Sequence, residues 1–547
     1  MKKMPRNQKA SNRAPSVLRP TAIAVCLFAG HAQAFQIETD NPDLEMSWNN
    51  TVKYSAAYRL DEQLPVLLTN RNQDDGNRNF DKGLIQNRLD LFSEFDAKYK
   101  NFGLRVSAAA WRDSVYLGRN DHPGPTSNRP LSAPRNSFSN AVKEDLGQDA
   151  ELLDAFVYGQ FDIDGKPLTA RLGRHALVWG ESLFFAANSI AAGMNPTDVI
   201  KARSVPGSTT KEILRPVGKL SLDAQLTDTL SLAAYVPYEW ERSKVPWAGS
   251  YFSAGENLAP EGELSYRGPS TFTINEMQEP KSSGQGGLSL RWRSDDLDTD
   301  FGFHAIRYHS NGPVNFAYIG VPPFVGGRLQ WYAHEGVQAY AVSAAKTIGN
   351  VSWGAEASIR RNAPLPSDPN TFATPGPIGS SNPAYAVGKT GHLQLNWIAN
   401  LGPTWISQEA SFVGEVAWNR LLSVDYGGSL LARRSTRDAT AIRLQYTPTY
   451  RQVLDGLDIS VPMGIGYTMG RSAALGPAFG PDKGGDMRVG LAGTYLNKWL
   501  FTLDYTRFYG KADLNTTPIN GVGAPTFSYA QAFKDRNFVS FSIRTTF

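Results

Sequence analysis

The last ten residues constrain the fold more than any other stretch of the chain. Val539, Phe541, Ile543, Thr545 and Phe547 alternate with Ser540, Ser542, Arg544 and Thr546. Successive side chains of a strand point to opposite faces, so this segment has one apolar and one polar face. The pattern recurs. Leu44, Met46, Trp48, Val52, Tyr54, Ala56 and Tyr58 alternate with Glu45, Ser47, Asn49, Thr51, Lys53 and Arg59. Leu230 to Trp240, Leu457 to Tyr467 and Trp499 to Tyr505 repeat it. A tilted strand of about 9–11 residues with one face for hydrocarbon and one for water is the unit of a membrane-spanning barrel. Spanning helices are excluded, because the mean hydropathy is −0.34 and no apolar run after residue 34 approaches the ~20 residues they need.

Connection lengths give an independent signal. Strands are expected near 44–59, 85–99, 102–113, 150–163, 168–180, 216–227, 229–242, 285–293 and 299–309. Nine more fall near 333–346, 351–361, 391–400, 404–420, 436–450, 456–468, 486–496, 498–510 and 536–547. The runs 85–99 and 333–346 are the weakest, so sixteen strands is the fallback to eighteen. Tight links such as Lys100-Asn101, Asp164 to Pro167, Thr227 to Thr229 and Asn497-Lys498 alternate with long ones such as 60–84, 114–149, 181–215 and 243–284. Short periplasmic turns opposite long outer loops are the layout of an outer-membrane barrel, and an even strand number returns both termini to the periplasm. Trp292, Trp353, Trp397, Trp405 and Trp499 fall close to the short turns, as expected of indoles at lipid headgroup level.

Residues 1–34 read as a secretory signal peptide: Lys2, Lys3, Arg6, Lys9, Arg13 and Arg19 precede a short apolar core, and Ala32-Gln33-Ala34 is a cleavage site. Removing its six basic residues from the chain's 55 leaves 49 against 51 acidic ones, which withdraws the electrostatic support for a nucleic-acid partner. The chain's single cysteine, Cys26, lies in that segment, so no disulfide framework or cysteine-ligated metal site is expected.

The remaining chain, 35–547, carries no recognisable catalytic constellation, metal motif or phosphate loop, and neither an enzyme activity nor a cofactor is expected. His334-Glu335 lacks a second His, and Gly180-Glu181-Ser182 does not continue as a nucleophile elbow. The oxygen-rich stretch from Asn72 to Asp81 misses the calcium-loop spacing, because Asp75 stands where glycine is needed. One segment stands out. Arg171 to Ser182 ends a strand, and a long loop follows with Phe184, Phe185, Ile190 and Met194 beside Asn195, Asp198, Lys201 and Arg203. Alternation puts Arg171, His175, Trp179 and Glu181 on the inner face and Arg174 on the lipid face, from which a bulge at Gly173 would turn it inward. The loop 181–215 is too apolar for a freely solvated outer loop. It is expected to fold into the barrel and, with Arg171, Arg174, His175, Trp179, Glu181, Asn195, Asp198 and Arg203, to form the narrowest zone of a pore.

Two resemblances follow from these residues. A final strand ending in Phe547, with Phe541 and Ile543 on the same face, resembles the signal read by the barrel-assembly machinery of bacterial outer membranes. The run from Gly173 to Ser182 (GRHALVWGES), the Asn195 to Asp198 run (NPTD), the stretch NQDDGNRNF beginning at Asn72 and LRPVGKLSL beginning at Leu214 resemble the domain of unknown function 1302 family, with His175 where that pattern has Gln. The resemblance implies a Gram-negative outer-membrane barrel surrounded by outer-membrane lipids. It further implies movement of small hydrophobic or amphipathic solutes (lipid-like, steroid or aromatic), together with a periplasmic protein resembling lipid carriers and an inner-membrane exporter. A non-conducting receptor, adhesin or structural barrel is the alternative, and a barrel enzyme a third.

Overall fold

The computed structural model describes residues 35–547 apart from 125–132, 135, 254, 256–257, 259–262, 268–269, 313–314, 322–325, 369–370, 373–381 and 516–525. The expected signal peptide lies outside the described residues. Alternating sequence becomes a closed antiparallel barrel. Its wall starts at Leu44–Arg59 and passes through Gly83–Tyr99, Phe102–Asp113, Gln148–Ile163, Lys166–His175, Val217–Thr227, Leu230–Pro237, Gly286–Ser294 and Thr299–Tyr308. It continues through Val337–Ile348, Val351–Pro364, Val387–Leu401, Glu409–Tyr426 and Asp438–Leu454. The strand 457–469, then Gly484–Tyr495, Trp499–Tyr509 and Phe538–Thr546, complete the circuit. The last strand pairs with the first from Thr51↔Thr546 to Arg59↔Phe538, so no edge is left.

The strand 457–469 is interrupted only at Val461-Pro462, where the proline has no N–H to give. Val461 N still donates to Pro448 O and Gly490 N to Pro462 O, and the register is the same on both sides. Counted as one strand, it gives eighteen. Both weak runs are strands, at Gly83–Tyr99 and Val337–Ile348.

Some boundaries differ from expectation. The runs 168–180 and 229–242 end at His175 and Pro237, because the chain leaves the wall there. The strand expected from 404 begins at Glu409, and 402–408 is a longer turn tied by Thr404 and Ser407. At the tight turn, Asp164 (φ 55°) and Gly165 (φ 75°) take the left-handed pair that a two-residue hairpin requires. The outer links hold more structure than expected of loops. Leu264–Arg267, Ser270–Ile274, Asn315–Val321, Gly326–Tyr332 and Thr371–Phe372 form a separate five-stranded sheet. Phe272, Ile274, Tyr318 and Leu329 make its buried apolar face, which is why these short aromatic and β-branched runs pair with one another instead of staying solvated.

The two faces of the wall separate as alternation demands. Tyr54, Tyr58, Leu89, Leu91, Leu172, Leu220, Leu393, Leu395, Val489 and Leu503 are exposed on the outside. Lys53, Ser55, Arg88, Asp90, Lys219, Ser221, Glu356, His392, Glu415 and Asn419 are buried inside. Polar side chains buried this deeply need partners from the protein itself.

Candidate functional site

The partner is the loop that follows Lys166–His175. Gly173 sits at φ 129°, and a Cβ there would lie 2.3 Å from Ala155 O, so only glycine fits. Pairing nevertheless runs on to Arg174 and His175 without a register shift, so no bulge turns Arg174 inward. Past His175 the chain enters the barrel. Trp179 packs with Ile190, Met194, Tyr235, Ile306 and Tyr308 and stacks on His304. The backbone then reaches strands far around the wall. Glu415 accepts from Ser182 Oγ (2.9 Å), Leu183 N (3.1 Å), Phe185 N (3.1 Å) and Phe184 N. Glu356 accepts from Glu181 N (3.2 Å), Ser189 Oγ (2.9 Å) and Ile190 N (2.7 Å). Arg360 donates to Ala187 O and Ser189 O, both at 2.8 Å. Asn188 lies against His392 and Asn419 and donates to Leu393 O and Trp418 O. Irregular backbone with no solvent to bond is thus satisfied side chain by side chain.

The loop then crosses to the opposite side. Asp198 caps the short helix Val199–Ser204 through Lys201 N (2.7 Å). Lys53, on the first strand, donates to Glu212 (3.2 Å), and Arg544, on the last, donates to Gly207 O (3.3 Å). Arg215 returns the chain to the wall on Glu151 (2.6 Å), which also holds Lys201 (2.8 Å) and Lys244 (3.0 Å). Burial pushes Glu212 upward, but the Lys53 ammonium and the Thr209 N–H and hydroxyl outweigh it and hold the carboxyl below the ordinary Glu range. Burial pushes Glu181 and Asp198 up, Glu356 adding to the first and Lys201 opposing the second.

The eight residues singled out by sequence do not form one ring. Arg171 is half-buried on the inner face between Tyr158 and Ser221. Arg174 keeps outward parity and is neutralised by Glu239 and by Glu241 at 2.7 Å. His175 is buried between Ser221 Oγ (2.7 Å) and Gly173 O (3.0 Å). Trp179, Asn195 and Asp198 are buried fasteners of the loop; Asn195 clasps Leu177 and takes Lys219 Nζ at 3.0 Å. Glu181 is half-buried beside Glu356. Arg203 alone of the eight is exposed within the lumen, 6.0 Å over the Phe533 ring and within the field of Asp486.

The wall that Arg203 faces was missed by sequence. On the strands from Asp438 to Tyr509, Arg443 pairs with Asp486 (2.5 Å) and Arg488 with Asp504 (2.6 Å), and the arginine side chains remain 34% and 49% exposed although they point inward. Below them a cavity of about 440 Å³ is lined by Thr449, Ser460, Thr494, Thr502, Ser542 and Arg544, with Gly207 to Thr209 as its other side. Inward charges that remain wet mark water-filled space. Their sequence signal is Arg or Asp at inward parity on a strand whose other face is apolar. The oxygen-rich outer stretch is consumed internally: Asp74 holds Arg78, Asp75 faces His122 at 3.3 Å, and Asn77 binds Arg59 and Asp535. Among the described residues no cluster of three His, Cys, Asp or Glu is placed to hold a metal.

A closed eighteen-strand barrel, apolar outside and polar inside, with one long loop pinned across its interior, defines the class: a β-barrel of outer-membrane architecture. The chain belongs to the family of proteins of unknown function DUF1302, whose model matches residues 17–547. No curated protein matches it. Solved structures similar to it include OccAB4 of Acinetobacter baumannii (10% identity, 93% of this chain and 100% of that one, TM-score 0.43). The outer membrane channel DcaP of A. baumannii (9%, 94% and 100%, 0.38) and a BenF-like porin from Pseudomonas fluorescens Pf-5 (9%, 92% and 98%, 0.43) are others.

Proposed function

We propose that the protein is an outer-membrane channel in which the loop 181–215 is a fixed constriction. It seals the part of the interior lined by Val351–Tyr426 and leaves a path along Asp438–Tyr509. The observation that carries this reading is the unequal exposure of inward polar residues: Glu356 and Glu415 are 2% and 0% exposed, whereas Arg443 and Arg488 stay wet. A sealed structural barrel has no reason to keep paired arginines hydrated on one side only. Arg203 on the loop and Arg443, Asp486, Arg488 and Asp504 on the wall set a field across this path, in which polar groups of a passing solute are ordered. The solutes are small and amphipathic or hydrophobic, and no catalytic role is assigned. Phe547, whose N and O both bond Asn50, completes the outer-face seam with Phe541 and Ile543 and supports reading of this end by the barrel-assembly machinery. A periplasmic carrier and an inner-membrane exporter belong to the same proposal.

The five-stranded outer sheet favours a second reading, a non-conducting barrel whose outer surface meets a partner. Single-channel recording of the purified protein in planar bilayers separates the two. Discrete conductance steps are expected; their absence from heat-modifiable, folded protein leaves the second reading.

A further inference from the structure

Between the outer sheet and the barrel interior lies a cavity of about 490 Å³, within the size range of small-molecule sites. Three of the chain's 12 tryptophans, Trp240, Trp247 and Trp331, surround it together with Met277. Indole faces and a thioether offer a flat, polarisable, apolar lining suited to a ring. Arg242 adds the polar component. Its guanidinium lies 4.9 Å over the Trp247 ring, which orients it, and among the described residues it makes no hydrogen bond or ion pair. The other two cations at the cavity are spent: Arg215 on Glu151 and Glu241, and Lys244 on Asp145 and Glu151. An exposed, stacked guanidinium with an unused donor fork matches a carboxylate, which it grips with two parallel hydrogen bonds. Glu276 and Glu279, also at the cavity and exposed, repel further negative charge.

We infer that this cavity is a binding site for ring compounds bearing a single carboxylate, with the ring among Trp240, Trp247, Trp331 and Met277 and the carboxylate on Arg242. The site deepens the channel reading by giving its solutes a chemical class, and rests on that reading for its place on a transport route. Binding itself does not depend on conduction, so the two fail separately.

The test is calorimetric titration of the folded, detergent-solubilised protein with naphthalene-2-carboxylate, naphthalene-2-methanol and citrate. The monocarboxylate is expected to bind about tenfold or more tighter than the neutral alcohol, the worth of one charge-assisted contact, and citrate not to bind. Arg242→Gln should remove that tenfold preference and Arg242→Lys should keep part of it. Arg293→Gln, at the opposite end of the barrel, should match the wild type. The inference is overturned if the alcohol binds as well as the acid, if Arg242→Gln binds the acid unchanged, or if the acid does not bind. Conductance of the unliganded protein, recorded in parallel, reports on the channel reading alone.

Discussion

Two adjoining parts of the barrel interior are built from the same kind of sequence and end in opposite states. On Val351–Pro364, Val387–Leu401 and Glu409–Tyr426, the inward residues Glu356, Arg360, His392, Gln394, Asn396, Glu415 and Asn419 are all buried. On Asp438–Leu454, Gly484–Tyr495 and Trp499–Tyr509, inward Arg443, Gln445, Thr447, Asp486, Arg488, Thr494 and Thr502 stay open to solvent, with Asp504 buried beneath Arg488. Polarity does not distinguish the two parts, because both carry ionisable groups. The difference lies in who supplies the partners. On the first part the loop's backbone amides converge on lone carboxylates; on the second each arginine has an aspartate on a neighbouring strand. A buried carboxylate is tolerable only while its donors stay in place. The first part therefore depends on the loop, and the second is self-sufficient.

The largest expected effect comes from removing that dependence. Deleting 184–194 takes away Phe184, Phe185, Asn188, Ser189 and Ile190 and exposes Glu356 and Glu415 to lumen water, where ionised carboxylates are well solvated. The barrel should still fold, since its pairings are untouched. Planar-bilayer conductance should rise about twofold or more and sensitivity to bulky antibiotics should appear, as expected when a constriction is lost. Unchanged conductance would mean that the sealed part is not where the pore is narrowed.

Single substitutions sharpen the contrast. Glu415→Gln replaces a carboxylate serving four donors by an amide with one acceptor oxygen. It should cost about 3 kcal/mol of loop anchoring, the worth of one or two charged hydrogen bonds. The readout is chymotryptic cleavage near Phe184 and Phe185 in the folded barrel. Arg443→Gln, on the open part, breaks a pair whose partners are 34% and 26% exposed, and should cost no more than about 1 kcal/mol. It should instead move the reversal potential toward cations. Equal protease sensitivity in both variants would erase the distinction between the two parts.

Much of the wall is legible in the amino-acid sequence. Eighteen alternating runs become eighteen strands because a period of two, once one face is apolar, fixes which residues point where. The ends are less legible. Val178 and Trp179 continue the alternation past His175, and only the packing of Trp179 against His304 and Tyr235 shows that the chain has already turned inward. The site is legible as a loop but not as a set of residues. Asn195, Asp198 and Trp179 lie close to the strand end in sequence, yet they serve as fasteners. Glu415 meets Phe185 across 230 positions, and its only signal is an acidic residue at inward parity. The outer sheet is hidden because its strands are short and lie within segments that, by length, read as loops; Ser270–Ile274 and Gly326–Tyr332 pair in parallel across a long separation.

The smallest effect expected is a dependence on pH that differs between the two ends of the loop. Glu212 titrates below the ordinary Glu range because Lys53 and Thr209 favour its ionised form. A carboxyl with a depressed folded-state pKa contributes stability that is fully present above the ordinary value, declines below it and is lost as pH falls through the folded-state value. The latch of Glu212 on Lys53 should therefore hold at neutral pH and loosen on acidification below about pH 4.5, the ordinary value for Glu. Glu181 beside Glu356, and Asp198 on the crossing segment, are pushed up by burial and behave in the opposite sense: protonation relieves their desolvation, so their contacts tighten as pH falls toward the ordinary carboxyl range, before the Glu212 latch begins to loosen. Open-channel noise recorded from pH 7 downward should thus grow in the wild type only near the bottom of the range. Glu212→Gln should be noisy throughout and lose that acid-induced increase. Noise that is flat with pH, or an increase that survives Glu212→Gln unchanged, would show that the crossing loop is not held to the first strand by this ion pair, and that the open path is bordered by something other than the segment from Gly207 to Glu212.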